Sequence, residues 1–265
     1  MDDKTYADVN RTLWDARTPV HAASKFYDVD GFLAGKSSLT KIDEQTLGDV
    51  AGKRLLHLQC HFGLDSLSLA RKGAIVTAVD FSKAAIAKAT ELNTAASLNA
   101  EFVECDVYET HNHVEGKFDI VYTSWGALAW LPDIARWADM VAQVAHAESR
   151  VVVNEFHPVV FMLGDDGELN YEYFGKPDGY DEVSDGTYTD GGEHLKSQRE
   201  ITWNHSLSKT IQAMIDSGFT IGRFSEYDFS PYPCFANVNE LAPGEWVIEK
   251  YGRNLPYAYS LSCRR

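Results

Sequence analysis

The chain is short of positive charge. Lysine and arginine number 24 against 39 aspartates and glutamates, a net charge of -15 over 265 residues. Such a surface repels a phosphate backbone unless a local basic run intervenes, and there is none, so nucleic acid is not an expected partner. Long apolar runs are missing too. None approaches the roughly 18 residues that a membrane span needs, so no membrane association is expected. Cysteine is scarce: Cys60, Cys105, Cys234 and Cys263 share no CxxC spacing, which argues against a zinc site or a disulfide frame and for reduced, cytoplasmic thiols. The N-terminal MDDKTYADVNRTLWD lacks the apolar core of a signal peptide. There are no internal repeats and no low-complexity tracts.

What remains is a chain with 45% hydrophobic residues, enough for one large α/β core. Its most informative stretch is RLLHLQCHFGLDSLSLARKGAIVTAVDFS, Arg54 to Ser82. The pattern predicts a buried strand over 54–58, a turn through Gly63, a helix over 65–71 and a second strand over 75–79 that runs into Asp80. That is a βαβ nucleotide-binding unit, with the acid placed to accept hydrogen bonds from ribose hydroxyls. Ser82 is a predicted N-cap for the helix KAAIAKATELNTAAS. Further strands are expected at AEFVEC, FDIVYTS and RVVVNEF, with a helical stretch ALAWLPDIARWADMVAQVAHA before the last of them. Strands separated by helices imply a parallel sheet covered on both faces. Residues 1 to about 50 read as a polar, partly helical lead-in. From Pro158 to about Asn204 the alternation stops, in a segment rich in Gly, Asp and Tyr with no periodic core element. Its aromatics favour an ordered lid or a partner-facing surface, including that of a homodimer. A helix, SLSKTIQAMIDSGF, and two late strands close the chain.

This layout resembles the class I S-adenosylmethionine (SAM)-dependent methyltransferase family, over roughly Lys53 to Arg265. The resemblance implies an α/β, Rossmann-like, doubly wound and mostly parallel seven-stranded sheet, with an antiparallel C-terminal hairpin and an insertion after strand five. It divides the chain into a helical cap (1–50) and a SAM-binding methyltransferase domain (51–265) with an inserted lid (158–204). The family's first turn carries an acid and then Gly-x-Gly-x-Gly. In HLQCHFG, His57 stands at the acid, Gln59 and His61 at the first two glycines and Gly63 at the third, so two glycines are missing. By resemblance, Gln59, Cys60, His61 and Gly63 line the cofactor turn, Asp80 takes the ribose, and Phe81 and Ser82 follow it. Asp106 would accept from the adenine amino group, with Val107 beside the ring. Ser124, Trp125 and Gly126 stand where the sulfonium meets the acceptor atom, and S-adenosylhomocysteine (SAH) would be the product. In the lead-in, Trp14 and Arg17 share a helical face; Arg17 is a candidate for the methionine carboxylate, against the plain alternative of a surface arginine, and His21 and Tyr27 are candidates to close the pocket.

If the acceptor must lose a proton, a histidine suits the task. His157, in NEFHP, and His205, in ITWNHS, are the catalytic candidates, each with a structural role as the alternative. Glu155 could hold His157 or bind a cationic acceptor. Tyr171, Tyr173, Tyr180 and Tyr188, with acids between them, suit an aromatic or amine-bearing small molecule. His57, Cys60 and His61 form an H-x2-C-H cluster, but strand alternation parts them, so no metal is expected. His111 and His113 read as solvated. Two other functions fit the first βαβ unit: a nicotinamide-dependent oxidoreductase, and a non-catalytic binding protein that has kept the fold.

Overall fold

The sheet is built from strands whose alternate side chains feed two different cores. The computed structural model describes residues 3–164 and 166–265. Strands β1 (Arg54–Leu58), β2 (Ile75–Asp80), β3 (Glu101–Glu104), β4 (Phe118–Thr123) and β5 (Ala145–Phe156) pair in parallel. In β1, Leu56 and Leu58 face one core together with Val121, Val151 and Val153 of the neighbouring strands. Leu55, Ile120, Tyr122 and Val152 face the other. Burial on both faces is why these strands read as nearly continuous apolar runs.

Helices α4 (Leu64–Arg71) and α5 (Lys83–Ala95) connect β1 to β2 and β2 to β3; α6 (Ile134–Val144) and α7 (Leu207–Asp216) precede β5 and β8. Before them come α1 (Asp3–Ala23), α2 (Val29–Leu33) and α3 (Lys41–Leu47). The lead-in is therefore mostly helical, and α1 runs through Pro19. The expected helical stretch from Ala127 divides at Pro132: a 3-10 turn covers Leu128–Trp130, and Asp133 then caps α6 through the Ala135 and Arg136 N–H groups. Pro132 cannot donate a helical hydrogen bond, which explains the break.

Strand β8 (Thr220–Tyr227) forms one edge, and β11 (Ala258–Arg264) lies between it and β5, antiparallel to both. The seven strands run β3-β2-β1-β4-β5-β11-β8. The expected seven-stranded, mostly parallel sheet is thus present. The closing pair differs from a simple hairpin, because a two-stranded sheet of β9 (Val238–Ala242) and β10 (Glu245–Ile248) stands between its arms.

The insertion after β5 corrects a second expectation, that it holds no core element. It forms a hairpin of β6 (Tyr180–Ser184) and β7 (Gln198–Thr202), and Ile201 and Trp203 are buried in the main core. Trp203 packs edge-on to Tyr6 of α1 at 5.4 Å. The Asn10 side chain donates to the Ile201 carbonyl (2.8 Å) and accepts from its N–H (3.0 Å). Two buried residues at i and i+2 are too short a period to stand out among the acids around them. Among the described residues, no helix is long and apolar enough to cross a membrane.

Candidate active site

Open α/β sheets bind ligands beyond the carboxyl ends of their strands. Here that edge opens into a cleft of about 1280 Å³, bounded by the turn after β1, the ends of β4 and β5, α1, the insertion and residues 232–236. The turn keeps a left-handed backbone at alternate positions: Gln59 has φ 53°, His61 φ 51° and Gly63 φ 78°. Non-glycine residues in that region cost about 1–2 kcal/mol each, so the surroundings must hold them there. The hold comes from β2. Asp80 accepts the His61 N–H at 2.8 Å and the Ser82 N–H at 2.9 Å, and Cys60 N–H donates to the Val79 carbonyl. Burial outweighs these bonds and pushes the Asp80 carboxyl up to about 6. A Cβ on Gly63 would come within 2.6 Å of the Phe102 ring, so helix-to-sheet packing, as well as the turn, requires glycine there.

Trp14, Arg17, Gln59, Cys60, His61, Gly63, Ser124, Trp125 and Gly126 all line the cleft. Asp80, Phe81, Ser82, Asp106 and Val107 do not reach its wall, and α1 lies against Phe81 and Ser82. Asp15 of α1 accepts from Ser82 Oγ (2.6 Å) and Ala84 N–H (3.0 Å), and the Arg11 guanidinium stands 5.9 Å above the Phe81 ring. Ser82 caps α5 by accepting from Ala85 N–H. Asp106 caps a 3-10 turn through Tyr108 N–H at 2.9 Å, and Val107 is buried in the core.

A cluster of rings sits on the turn. His61 packs against Trp14 (5.0 Å), Tyr27 (5.6 Å) and Phe62 (4.5 Å). His21 Nδ1 lies 3.0 Å from His61 Nε2, and His21 Nε2 lies 2.7 Å from Thr187 Oγ1 of the insertion. Burial, helped by the Arg17 charge, pushes His21 down to about 3, so the pair shares its hydrogen bond as neutral rings. Arg17 Nη2 donates to Glu200 at 2.9 Å, and the Tyr27 and Tyr188 hydroxyls meet at 2.5 Å. Around this turn Arg17 Nε, Gln59 Oε1 and His61 Nδ1 are buried without hydrogen-bond partners.

His57, at the family's acid position, is buried and pushed down to about 3 by desolvation. It links Ser66 Oγ (2.7 Å) to Ser124 Oγ (3.0 Å). Trp125 Nε1 donates to Asp43 at 3.0 Å. Neither catalytic candidate faces the cleft. His157 Nε2 pairs with Glu226 at 3.0 Å while its Nδ1 accepts from Val159 N–H; His205 Nε2 donates to the Leu131 carbonyl at 2.7 Å, and burial lowers it to about 4. Both are tied into structural bonds. Glu155 does neither thing expected of it: it accepts from the Gly126, Leu128 and Phe156 N–H groups, fixing the loop that carries Trp125, and burial pushes it up to about 7.

Tyr171, Tyr180 and Tyr188 line the cleft, whereas the Tyr173 hydroxyl accepts from Leu207 N–H behind it. His113 is exposed, but His111 is half-buried with Nδ1 unpartnered. No group of three or more metal-ligating side chains occurs among the described residues. Sequence reading passed over Asp65, Phe156, Phe161, Tyr232 and Phe235, all of which line the cleft. The signal for the last two was there, in the aromatic, proline-bearing FSPYPCFA between two strands.

Topology and cleft together define the class I SAM-dependent methyltransferase fold: a parallel unit in the order 3-2-1-4-5, extended by an antiparallel strand. A dinucleotide-binding Rossmann sheet continues in parallel instead, which counts against the oxidoreductase alternative. Residues 55–148 match the family model described as a methyltransferase domain. Over 146 residues the chain is 31% identical to a ubiquinone biosynthesis O-methyltransferase from Alkalilimnicola ehrlichii, covering 54% of this chain and 56% of that one. The chain thus spans little more than half the length of that curated relative. Among solved structures, an S-adenosylmethionine-dependent methyltransferase from Mesorhizobium loti superposes with a TM-score of 0.57 at 19% identity, covering 88% of this chain and 100% of that one. The magnesium protoporphyrin IX methyltransferase of Synechocystis PCC 6803 with bound SAH gives 0.51 at 14% identity, with 95% and 99% covered.

Proposed function

We propose that the protein is a SAM-dependent methyltransferase acting on a small-molecule acceptor. The observation that carries this reading is the set of polar atoms left without partners at the turn after β1. Arg17 Nε–H is a free donor and Gln59 Oε1 a free acceptor, both buried. A carboxylate satisfies the first and an ammonium the second, and the methionyl end of SAM brings both. Buried polar atoms left unpaired cost about 1–3 kcal/mol each, so a ligand that pairs them gains that much. The bound cofactor supplies an electrophilic methyl group on a sulfonium.

The chain's own residues bind, orient and exclude water. Asp80 would take the ribose hydroxyls by giving up its bond to the His61 N–H, and Asp106 with Val107 would take the adenine by leaving their present cap and core contacts. Glu155 fixes the loop that sets Trp125 at the reacting end, and His57 orients the Ser124 hydroxyl. Such transfer gains most from holding the reactants in line and close together. No histidine on the cleft wall is a charged acid at neutral pH, which suits an acceptor that attacks without help from His157 or His205. Residues 1–50 act as a cap and 158–204 as a lid. The aromatic cleft supports a small acceptor and the acidic surface disfavours nucleic acid; the four free cysteines accord with the cytoplasm. The exposed aromatics of the insertion, Phe174 among them, are where a homodimer would form.

The test is a thermal-shift and calorimetric titration with SAM, SAH and NADH on wild type and Arg17→Met. A ligand at about 100 times its dissociation constant adds ~2.7 kcal/mol to the folded state. SAM and SAH stabilisation that weakens in the variant supports the reading. Stabilisation by NADH alone would move the protein to the oxidoreductases, and no stabilisation by any ligand would leave a non-catalytic protein of this fold.

A further inference from the structure

The end of the cleft away from α1 is walled by rings. Trp125 lies 5.7 Å from Phe156 and 5.9 Å from Tyr232, centroid to centroid, and Phe156 lies 5.3 Å from Phe235 and 6.2 Å from Phe161. They come from the ends of β4 and β5, the turn after β5 and the segment between β8 and β9, so four separate parts of the chain converge on one chamber. Asp65, in the first turn of α4, opens onto the same cleft. Its carboxylate accepts from Ser38 Oγ at 2.6 Å. Tyr232 lines the same cleft, and burial, with the Asp65 and Asp43 carboxyls acting on it, holds its hydroxyl well above its usual pKa.

Ring faces are negative and attract a cation. Burial, with Asp43 close by, pushes the Asp65 carboxyl up to about 7, so a cation beside it gains by drawing it into its ionised form. The cleft offers little to an anion. Among the described residues its cationic side chains are Arg17 and Lys36, the first held by Glu200 at 2.9 Å and the second by Asp28 at 2.7 Å. Acids outnumber them, since Asp65, Asp166, Glu182 and Asp185 line the wall as well.

We propose that this chamber is the acceptor subsite and takes an aromatic amine, its ring among Trp125, Phe156 and Tyr232 and its ammonium on Asp65. The proposal rests on the methyl-transfer reading and gives that reading a substrate class. A neutral aromatic would fill the chamber and leave Asp65 without a counter-charge. An aromatic carboxylate would meet Asp65 with no free cation to offset it.

Three probes that share one ring system test this by calorimetry on SAH-saturated protein: tryptamine, tryptophol and indole-3-acetate. Tryptamine should bind at least about tenfold more tightly than tryptophol, the combined scale of a cation–π contact and a partly exposed ion pair. Indole-3-acetate should bind weakest. Asp65→Asn should bring tryptamine to within about threefold of tryptophol, and Tyr232→Leu should weaken both. SAH affinity, measured on each variant, reports whether the fold and the cofactor end survive. Equal binding of the three probes, tighter binding of the carboxylate, a preference unchanged in Asp65→Asn, or no binding of any probe to the SAH-loaded protein would each overturn the proposal. An amine preference in a protein without SAH affinity would keep the subsite and remove the methyl-transfer reading instead.

Discussion

Replacing Asp80 by Asn should separate the two jobs of that carboxylate. In the free protein it accepts the His61 and Ser82 N–H groups; with cofactor bound it is the proposed acceptor for the ribose hydroxyls. An asparagine has one acceptor oxygen, so one of the two N–H groups loses its partner, at about 1–3 kcal/mol. Against this, the wild-type carboxyl is raised from 3.8 to about 6. Keeping it ionised at pH 7 therefore costs about 3 kcal/mol, which the variant avoids. The two effects oppose each other, and the variant should lie within about 2 kcal/mol of wild type at pH 7. The sign of the pH dependence follows from a folded pKa above the unfolded one. The proton stabilises the native state below pH 3.8, and that contribution is lost as pH rises toward and through about 6. Wild type should therefore lead the variant by about 1.3 kcal/mol more at pH 5 than at pH 7. Urea titrations of both proteins at the two pH values measure this, and a cost independent of pH would refute the buried-carboxylate account. SAH affinity at pH 7 should fall about 10- to 100-fold, as expected for hydrogen bonds to a lost charge. A loss under threefold would remove Asp80 from the ribose site.

Gly63→Ala should cost about 2–4 kcal/mol in urea denaturation, combining a left-handed φ of 78° with a Cβ forced against Phe102; a loss below about 0.5 kcal/mol would show that Phe102 moves freely. Trp203→Ala should cost about 3–5 kcal/mol by opening a cavity between α1 and the insertion, and a neutral result would mean that the insertion is not part of the core. His157→Gln and His205→Gln should each leave SAH affinity within about twofold while lowering the melting temperature; a loss of affinity without a loss of stability would bring either residue back to the site.

The parallel half of the sheet was legible because strands buried on both faces announce themselves: RLLHL, AIVTAV and RVVV are nearly continuous apolar runs, broken only by single polar residues. Asp80 was legible from its place at the end of β2. The small sheet before β11 was not, although the Pro243–Gly244 pair between its strands is a turn signal, because β9 is mostly exposed and its composition resembles a loop. The ring cluster on the turn was out of reach for a different reason. His21, His61 and Thr187 meet across separations of 40 and 166 residues, and nothing in the local pattern of any of them refers to the other two. The misplacement of His157 and His205 has the same origin. Position at a strand end says that a side chain is near the cleft, while only packing says which way it turns.

The turn after β1 has a consequence for how kinship is recognised. Gln59 and His61 stand in the left-handed region that glycine favours, His61 held by the Asp80 carboxylate and Gln59 by its side-chain bond to the Ala127 carbonyl. A pattern written in amino-acid letters rejects the stretch at two of its three positions. One that asks for a left-handed φ at each of them accepts all three.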